Sequence, residues 1–422
     1  MTPEQIAQLT VIALAAVLAP LVSSLVRRWI AIPGVILELV FGVLVGPQVM
    51  NLARPSALIT DFSGMGLALL MFLAGYELEF SRVRGTPLRL AIGSWGFSVG
   101  LAAAVEGVLV FTGHTHGQSV VTALALTTTA LGTLLPILRD TGILGSEFGR
   151  HVFAIGTIGE FGPIVLIAIL LSGKSPIWTL LVLVIFGLMA TVALIAASRP
   201  RGQQVVKMLR HGLHASSQLP VRASMLLVVT FALAATQLGL DVLLGTFAAG
   251  VIVRTFVTGR EETEEAQIFK GKLEAIGFGF LVPVFFVVSG MRLRFDLFVQ
   301  HPSSLLAIPV YLALLLAVRG VPTYLVYRRV LEGAERISLS LLAATGLPLI
   351  IVVTTVGSDA GYLSAQDAAA LVTAGVITVL ILPALAVRWP HVAAEVRSAP
   401  LPPLRPAPPA MEPRTAEEGE AL

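Results

Sequence analysis

Apolar runs long enough to cross a lipid bilayer follow one another along almost the whole chain, and no water-soluble fold buries so many of them. A hydrocarbon core about 30 Å thick takes roughly 20 apolar residues in helical form. Thirteen stretches meet that requirement: 6–26, 31–50, 58–78, 87–111, 119–138, 148–172, 176–197, 222–238, 239–257, 273–291, 303–327, 335–357 and 364–387. Of 422 residues, 56% are hydrophobic and only 13% charged, where soluble chains carry about 25% charged residues. The mean hydropathy is +0.89. These values exclude disorder, a nucleic-acid-binding domain and an ordinary cytosolic enzyme. They predict an all-α polytopic membrane protein with about 13 transmembrane helices.

The net charge is +3, too small for a polyanion-binding surface, so no nucleic-acid partner is expected and lipid is the natural surrounding. The absence of cysteine excludes disulfides, thiolate metal sites and cysteine nucleophiles. The first apolar run lacks a preceding basic segment and is followed by Arg27 and Arg28, which reads as a retained span rather than a cleaved signal. With thirteen spans and the N-terminus outside, 23 of the 28 basic residues fall on inward loops or the tail. Only Arg54, Lys174, Arg292 and Arg294 face outward, and Arg319 lies within a span. The positive-inside rule therefore supports an N-out, C-in arrangement. Residues 1–390 read as one membrane domain, and the Pro-rich, acidic stretch 391–422 as a disordered cytoplasmic tail.

The halves resemble each other. Residues 72–80 in span three (FLAGYELEF) read like 286–295 in span ten (FVVSGMRLRF). Span five parallels span twelve, and 42–46 in span two parallels 245–250 in span nine. Six spans (6–172), a linking helix (176–197) and six more (222–387) give the inverted repeat of secondary transporters. Spans five and twelve carry helix-breaking and hydroxyl residues at their centres: Thr127, Thr128, Thr129, Gly132 and Pro136 in one, Thr345, Gly346, Pro348, Thr354 and Thr355 in the other. Proline frees a carbonyl, and threonine hydroxyls re-satisfy loose backbone groups. Two crossed broken helices at matching positions point to a binding site at mid-membrane.

A charge at the bilayer centre costs roughly 2.5–3.5 kcal/mol on insertion scales, so each one needs a reason. Asp61, Glu106 and Asp241 lie near outer span ends and read as solvated or capping groups. Glu160 is central, in 155–163 (IGTIGEFGP), where small residues leave room for a water-accessible cavity. One carboxylate there holds a proton or a cation but not both, which suffices for exchange. Arg319 keeps its charge; Glu160, Glu38 and the carbonyl ends of the broken helices are its candidate partners, and its expected role is charge-balancing. Glu38 is open between an interhelical bond and an ion-path residue. Glu77 and Glu79 end span three, as an inner mouth that attracts cations or as a solvated helix end. His114 and His116 lack a third ligand for a metal site. No nucleophile–base constellation or phosphate loop appears, so no enzyme activity and no cofactor is expected.

At these residues the sequence resembles the monovalent cation:proton antiporter superfamily, specifically the bacterial sodium or potassium/proton antiporters of its second subfamily. The matching stretches are 32–47 (IPGVILELVFGVLVGP), 70–77 (LMFLAGYE), 127–130 (TTTA), 245–250 (GTFAAG) and 283–291 (PVFFVVSGM). The resemblance covers about residues 10–387 and rests on the order and spacing of these motifs together. It implies a homodimer in the bacterial inner membrane, built of a scaffold and a mobile ion-carrying core that moves in an elevator-like cycle. It places the cation and proton site at Glu160, with Thr128, Thr129 and Gly159 beside it, Arg319 as the basic residue of span eleven, and Glu77 as a secondary position; Glu38 is a secondary candidate from its place in span two alone. Relatives have Asp-Asp, Asn-Asp or Gln-Asp where this chain has Gly159-Glu160. A single acidic residue there goes with electroneutral exchange of one proton for one sodium or potassium ion. A nucleotide-binding regulatory domain like that of the glutathione-gated potassium efflux members is not expected here. The alternatives are a sodium-coupled organic-anion symporter on a similar fold and a transport-inactive sensor or scaffold.

Overall fold

Each of the thirteen expected spans falls on a helix in the computed structural model, which describes residues 2–26, 32–77, 85–132, 134, 143, 146–171, 175–198, 218–239, 241–258, 264–300 and 302–387. The expected tail, Glu79 and Pro136 lie outside the described residues. The helices are α1 (Pro3–Val26), α2 (Gly34–Val45), α3 (Ala57–Glu77), α4 (Thr86–Phe111), α5 (His116–Leu126), α6 (Glu147–Leu171), α7 (Pro176–Ser198), α8 (Leu219–Gln237) and α9 (Val242–Thr258). They continue with α10 (Glu264–Ile276), α11 (Val282–Arg292), α12 (Ala307–Leu315), α13 (Val321–Val326), α14 (Gly333–Ala343), α15 (Leu347–Asp359) and α16 (Ala365–Val387). Among the described residues nine helical stretches have the length and hydropathy to cross a membrane, while Gly34–Val45 and Val242–Thr255 are shorter apolar helices. No strand occurs among them.

Local chemistry sets the helix ends. Proline opens α4, α8 and α15 at a position where its missing N–H costs nothing. The Thr115 side chain accepts from the Gln118 amide to cap α5, and Asp241 accepts from the Leu243 amide at 2.9 Å to cap α9. Span ten is longer than its apolar core suggests, because α10 begins at Glu264 and runs through a π-turn, Gly277–Leu281, into α11. A second π-turn, Leu316–Gly320, joins α12 to α13. Each π-turn ends two residues before a proline, Pro283 or Pro322. The wider turn makes room for a ring that would clash with the carbonyl four residues earlier.

The helices sort into two bundles. One contains α1, α2, α3, α8, α9, α10 and α11; the other contains α4, α5, α6 and α12 to α16; α7 leaves α6 and packs on α9. The first bundle is held by two crossings of the same construction. Gly42 of α2 lies against the Val287 carbonyl of α11 and Gly290 against the Leu39 carbonyl; Gly250 of α9 lies against the Phe72 carbonyl of α3 and Gly75 against the Phe247 carbonyl. In all four helices the glycine follows its carbonyl partner by three residues. Swapping α2 for α9 and α11 for α3 therefore maps one crossing onto the other in register, as an inverted repeat requires. Close backbone approach through glycine is the usual means of joining helices in lipid, where apolar side chains gain little by leaving it. The register pairs Gly75 with Gly290 and Gly42 with Gly250. The two bundles meet through apolar side chains, including Phe161 of α6 stacked on Phe247 of α9 at 5.6 Å.

Candidate ion site at the crossing of two broken helices

The fifth span stops at Leu126, runs without helix through Thr127–Ala130 and resumes at Leu131. The twelfth stops at Ala343 and restarts at Leu347. The two breaks bond each other directly: the Ala130 amide donates to the Thr345 carbonyl at 2.7 Å, and the Thr129 hydroxyl donates to the Ala343 carbonyl at 2.5 Å. Gly346 permits this approach, since a Cβ there would stand 2.6 Å from the Thr128 Oγ1. Other freed carbonyls are met by local hydroxyls, Thr127 to Leu124 and Thr128 to Ala125, each at 2.8 Å.

Helix α6 passes behind this crossing and presents glycine to it at every third position. Gly156 receives Leu131, Gly159 receives Thr129 and Arg319, and Gly162 receives the ring of Trp95, whose Nε1 donates to the Thr127 carbonyl at 3.3 Å. The Thr129 amide donates to the Gly159 carbonyl at 2.8 Å. A Cβ at residue 159 would lie 2.6 Å from the Thr129 Cβ and 2.7 Å from Arg319 Nη2. The position therefore has no room for a side chain while Arg319 holds its place.

Glu160, the next residue, is half-buried and faces different surroundings. Its carboxylate lies beside the Leu131 backbone, where the fifth span resumes. It stands at the wall of a cavity of about 380 Å³, lined also by Ala130, Gly132 and Pro348 from the breaks and by Glu77, Lys270 and Glu274. Glu77 is near enough for the two carboxylates to repel. The rest of the cavity's charged lining comes from the last residue of α3, Glu77, and from α10, Lys270 and Glu274.

The other expected site residues fall in different places. The hydroxyls of Thr128 and Thr129 are fully buried and occupied by backbone partners, so they build the crossing rather than line the cavity. Arg319 sits in the second π-turn, 1% exposed. Its Nε and Nη2 donate to Thr129 Oγ1 at 3.0 and 2.6 Å, and its Nη1 donates to Ser98 Oγ at 3.3 Å. Among the described residues it forms no ion pair with Glu160, Glu38 or any other carboxylate; hydroxyls serve it instead. Glu38 is buried on α2, outside the cavity lining, with no hydrogen bond or ion pair among the described residues. His116 pairs with Glu106 at 2.8 Å on the surface, away from the site. Sequence reading missed Lys270, Glu274, Ser98 and Trp95. The i, i+4 spacing of Lys270 and Glu274 on a helix that leads into an apolar span was the available signal.

Broken helices that cross beside a cavity with a carboxylate in its wall are an arrangement found in secondary transporters. The family model described as "Sodium/hydrogen exchanger, transmembrane" matches residues 13–388, and the chain belongs to that family. YjbQ of Bacillus subtilis (strain 168) is 26% identical over 404 residues, which cover 91% of this chain and 63% of YjbQ. The Na(+)/H(+)-K(+) antiporter GerN of Bacillus cereus is 27% identical over 267 residues, 63% of this chain and 66% of GerN. The chain thus spans slightly less than two thirds of the length of these two relatives. The sodium proton antiporter MjNhaP1 from Methanocaldococcus jannaschii has the same fold, with a TM-score of 0.65 at 16% identity over 92% of this chain and 99% of that one.

Proposed function

We propose that the chain exchanges protons for a monovalent cation, sodium or potassium, one for one. The observation that carries this reading is Glu160, which lines the cavity together with Ala130, Gly132 and Pro348 of the two breaks, while Glu77 and Glu274 are the other carboxylates of the same lining. Protonated, it excludes the cation; ionised, it attracts one, with Glu77 adding negative potential at the same cavity. The site thus carries one positive charge in either loaded form, so the cycle moves no net charge and the ion gradients drive it. The names of the relatives support this class of cargo. The ions are cargo, and the reading includes no cofactor.

The positive-inside distribution supports a topology with the N-terminus outside and the C-terminus inside, which puts the charged end of the cavity toward the cytoplasm. Alternating access follows from moving the bundle of α4–α6 and α12–α16 against the other, across a largely apolar contact. The reading includes a homodimer in a bacterial inner membrane, repeats at about 6–172 and 222–387, and a cytoplasmic tail from 391. The test is Glu160→Gln. Exchange is expected to vanish while the purified protein keeps its elution profile and melting temperature, and Glu160→Asp is expected to retain part of the activity. Normal cation-dependent proton flux in Glu160→Gln would remove Glu160 from the mechanism.

A further inference from the structure

Lys270 is the one cationic side chain among the residues that line the cavity leading to Glu160, and no step of the exchange reading uses it. It projects from α10, the helical extension that precedes the first π-turn. Its Nζ lies 3.3 Å from Glu274 Oε1 on its own helix and 3.6 Å from Glu77 Oε1 on α3. All three side chains are only partly exposed, at 23%, 38% and 20%, so their charges are less screened than on an open surface. The amine stands between two carboxylates of one cavity while a third, Glu160, lies in the same wall.

We infer that Lys270 is a tethered competitor of the transported cation, and that it sets apparent cation affinity by dividing its charge between Glu77 and Glu274. When the cavity is empty the ammonium offsets the negative charge of Glu77. A cation that arrives at Glu160 meets that ammonium as a like charge, and its entry is favoured when Lys270 turns toward Glu274. A flexible stem with a compact charge suits this exchange of partners. The role is positional, since Lys270 acts on the ion through the field it places beside Glu77 and Glu160. The inference rests on the exchange reading above and adds a residue that tunes specificity.

The two ion pairs give opposite predictions for two substitutions. Lys270→Gln removes the competitor and is expected to lower the apparent KM for the cation about fivefold, an effect on KM rather than kcat. Glu274→Gln removes the alternative partner, leaves Lys270 on Glu77 and is expected to raise KM by a similar factor. Lys270→Arg keeps the charge and should hold KM within about twofold of the unsubstituted protein. All are measured as sodium- and potassium-dependent proton flux in proteoliposomes, at an alkaline pH where protons compete least. A purely structural ion pair would shift both neutralising variants in the same direction or neither. An unchanged or raised KM in Lys270→Gln, or an unchanged or lowered KM in Glu274→Gln, overturns the inference. Should Lys270→Gln fail to fold, Glu274→Gln decides alone. Absence of cation-dependent flux in the unsubstituted protein would instead defeat the exchange reading itself, a result distinct from any change in KM.

Discussion

Residues 159 and 160 are neighbours on α6 that face different surroundings, about 100° apart around the helix, and their chemistry divides accordingly. Glu160 looks into the cavity, whereas the Gly159 Cα packs against Thr129 and the Arg319 guanidinium. The missing side chain, read from sequence as the loss of a polar neighbour, is in physical terms the space that Arg319 and Thr129 fill. Gly159→Ala is therefore expected to destabilise the protein by about 1–3 kcal/mol, as overpacking of a filled interior does. The melting temperature in detergent would fall; an unaltered melt would mean that Arg319 moves aside freely. Arg319 carries a second lesson. From sequence Glu160, Glu38 and the carbonyl ends of the broken helices are the candidate partners of this buried arginine, yet the fold gives it the hydroxyls of Thr129 and Ser98. Those residues lie 190 and 221 positions away, and nothing local marks them as its acceptors.

Elements that break inside a membrane leave a strong trace in sequence, which is why spans five and twelve were legible. Lipid cannot satisfy a freed carbonyl, so the chain must supply hydroxyls, glycine for close approach and proline to restart a helix. Thr127–Thr129, Gly346 and Pro348 are these residues. Their pairing, Ala130 to Thr345 and Thr129 to Ala343, was not legible because it depends on how two distant spans cross. The crossing predicts that Gly346→Val, which drives a branched side chain at Thr128, lowers the turnover of exchange about tenfold or more, as small displacements at a reacting centre do. Initial flux rates at saturating cation provide the measurement, and an unchanged rate would separate the crossing from transport. The extension α10 shows the converse case. Hydropathy starts span ten at residue 273, so Lys270 reads as part of an inward loop and Glu274 as the edge of the span. Only their helical continuation brings them to Glu77, almost two hundred residues earlier.

For the whole molecule, the repeat was visible in sequence as similar motifs in the same order, while its register needed the backbone. The crossings Gly42–Val287 with Gly290–Leu39, and Gly250–Phe72 with Gly75–Phe247, are one contact made twice. They tie α2 to α11 and α3 to α9 with no side chain between the backbones. Gly75→Leu is therefore expected to abolish recovery of monodisperse protein, whereas Gly100→Leu, at a position with nothing within 4 Å, should be tolerated. Equal recovery of both would show that the crossings do not hold the bundle.

One measurement bears on the central claim more directly than any substitution. Purified protein in sealed liposomes, with membrane voltage clamped and internal pH followed, receives sodium or potassium outside. The account predicts cation-dependent proton efflux whose rate does not change with the clamped voltage, because one carboxylate carries one charge in either direction. Efflux that follows the voltage would contradict one-for-one exchange at Glu160, and a folded protein with no efflux for any monovalent cation would contradict exchange altogether.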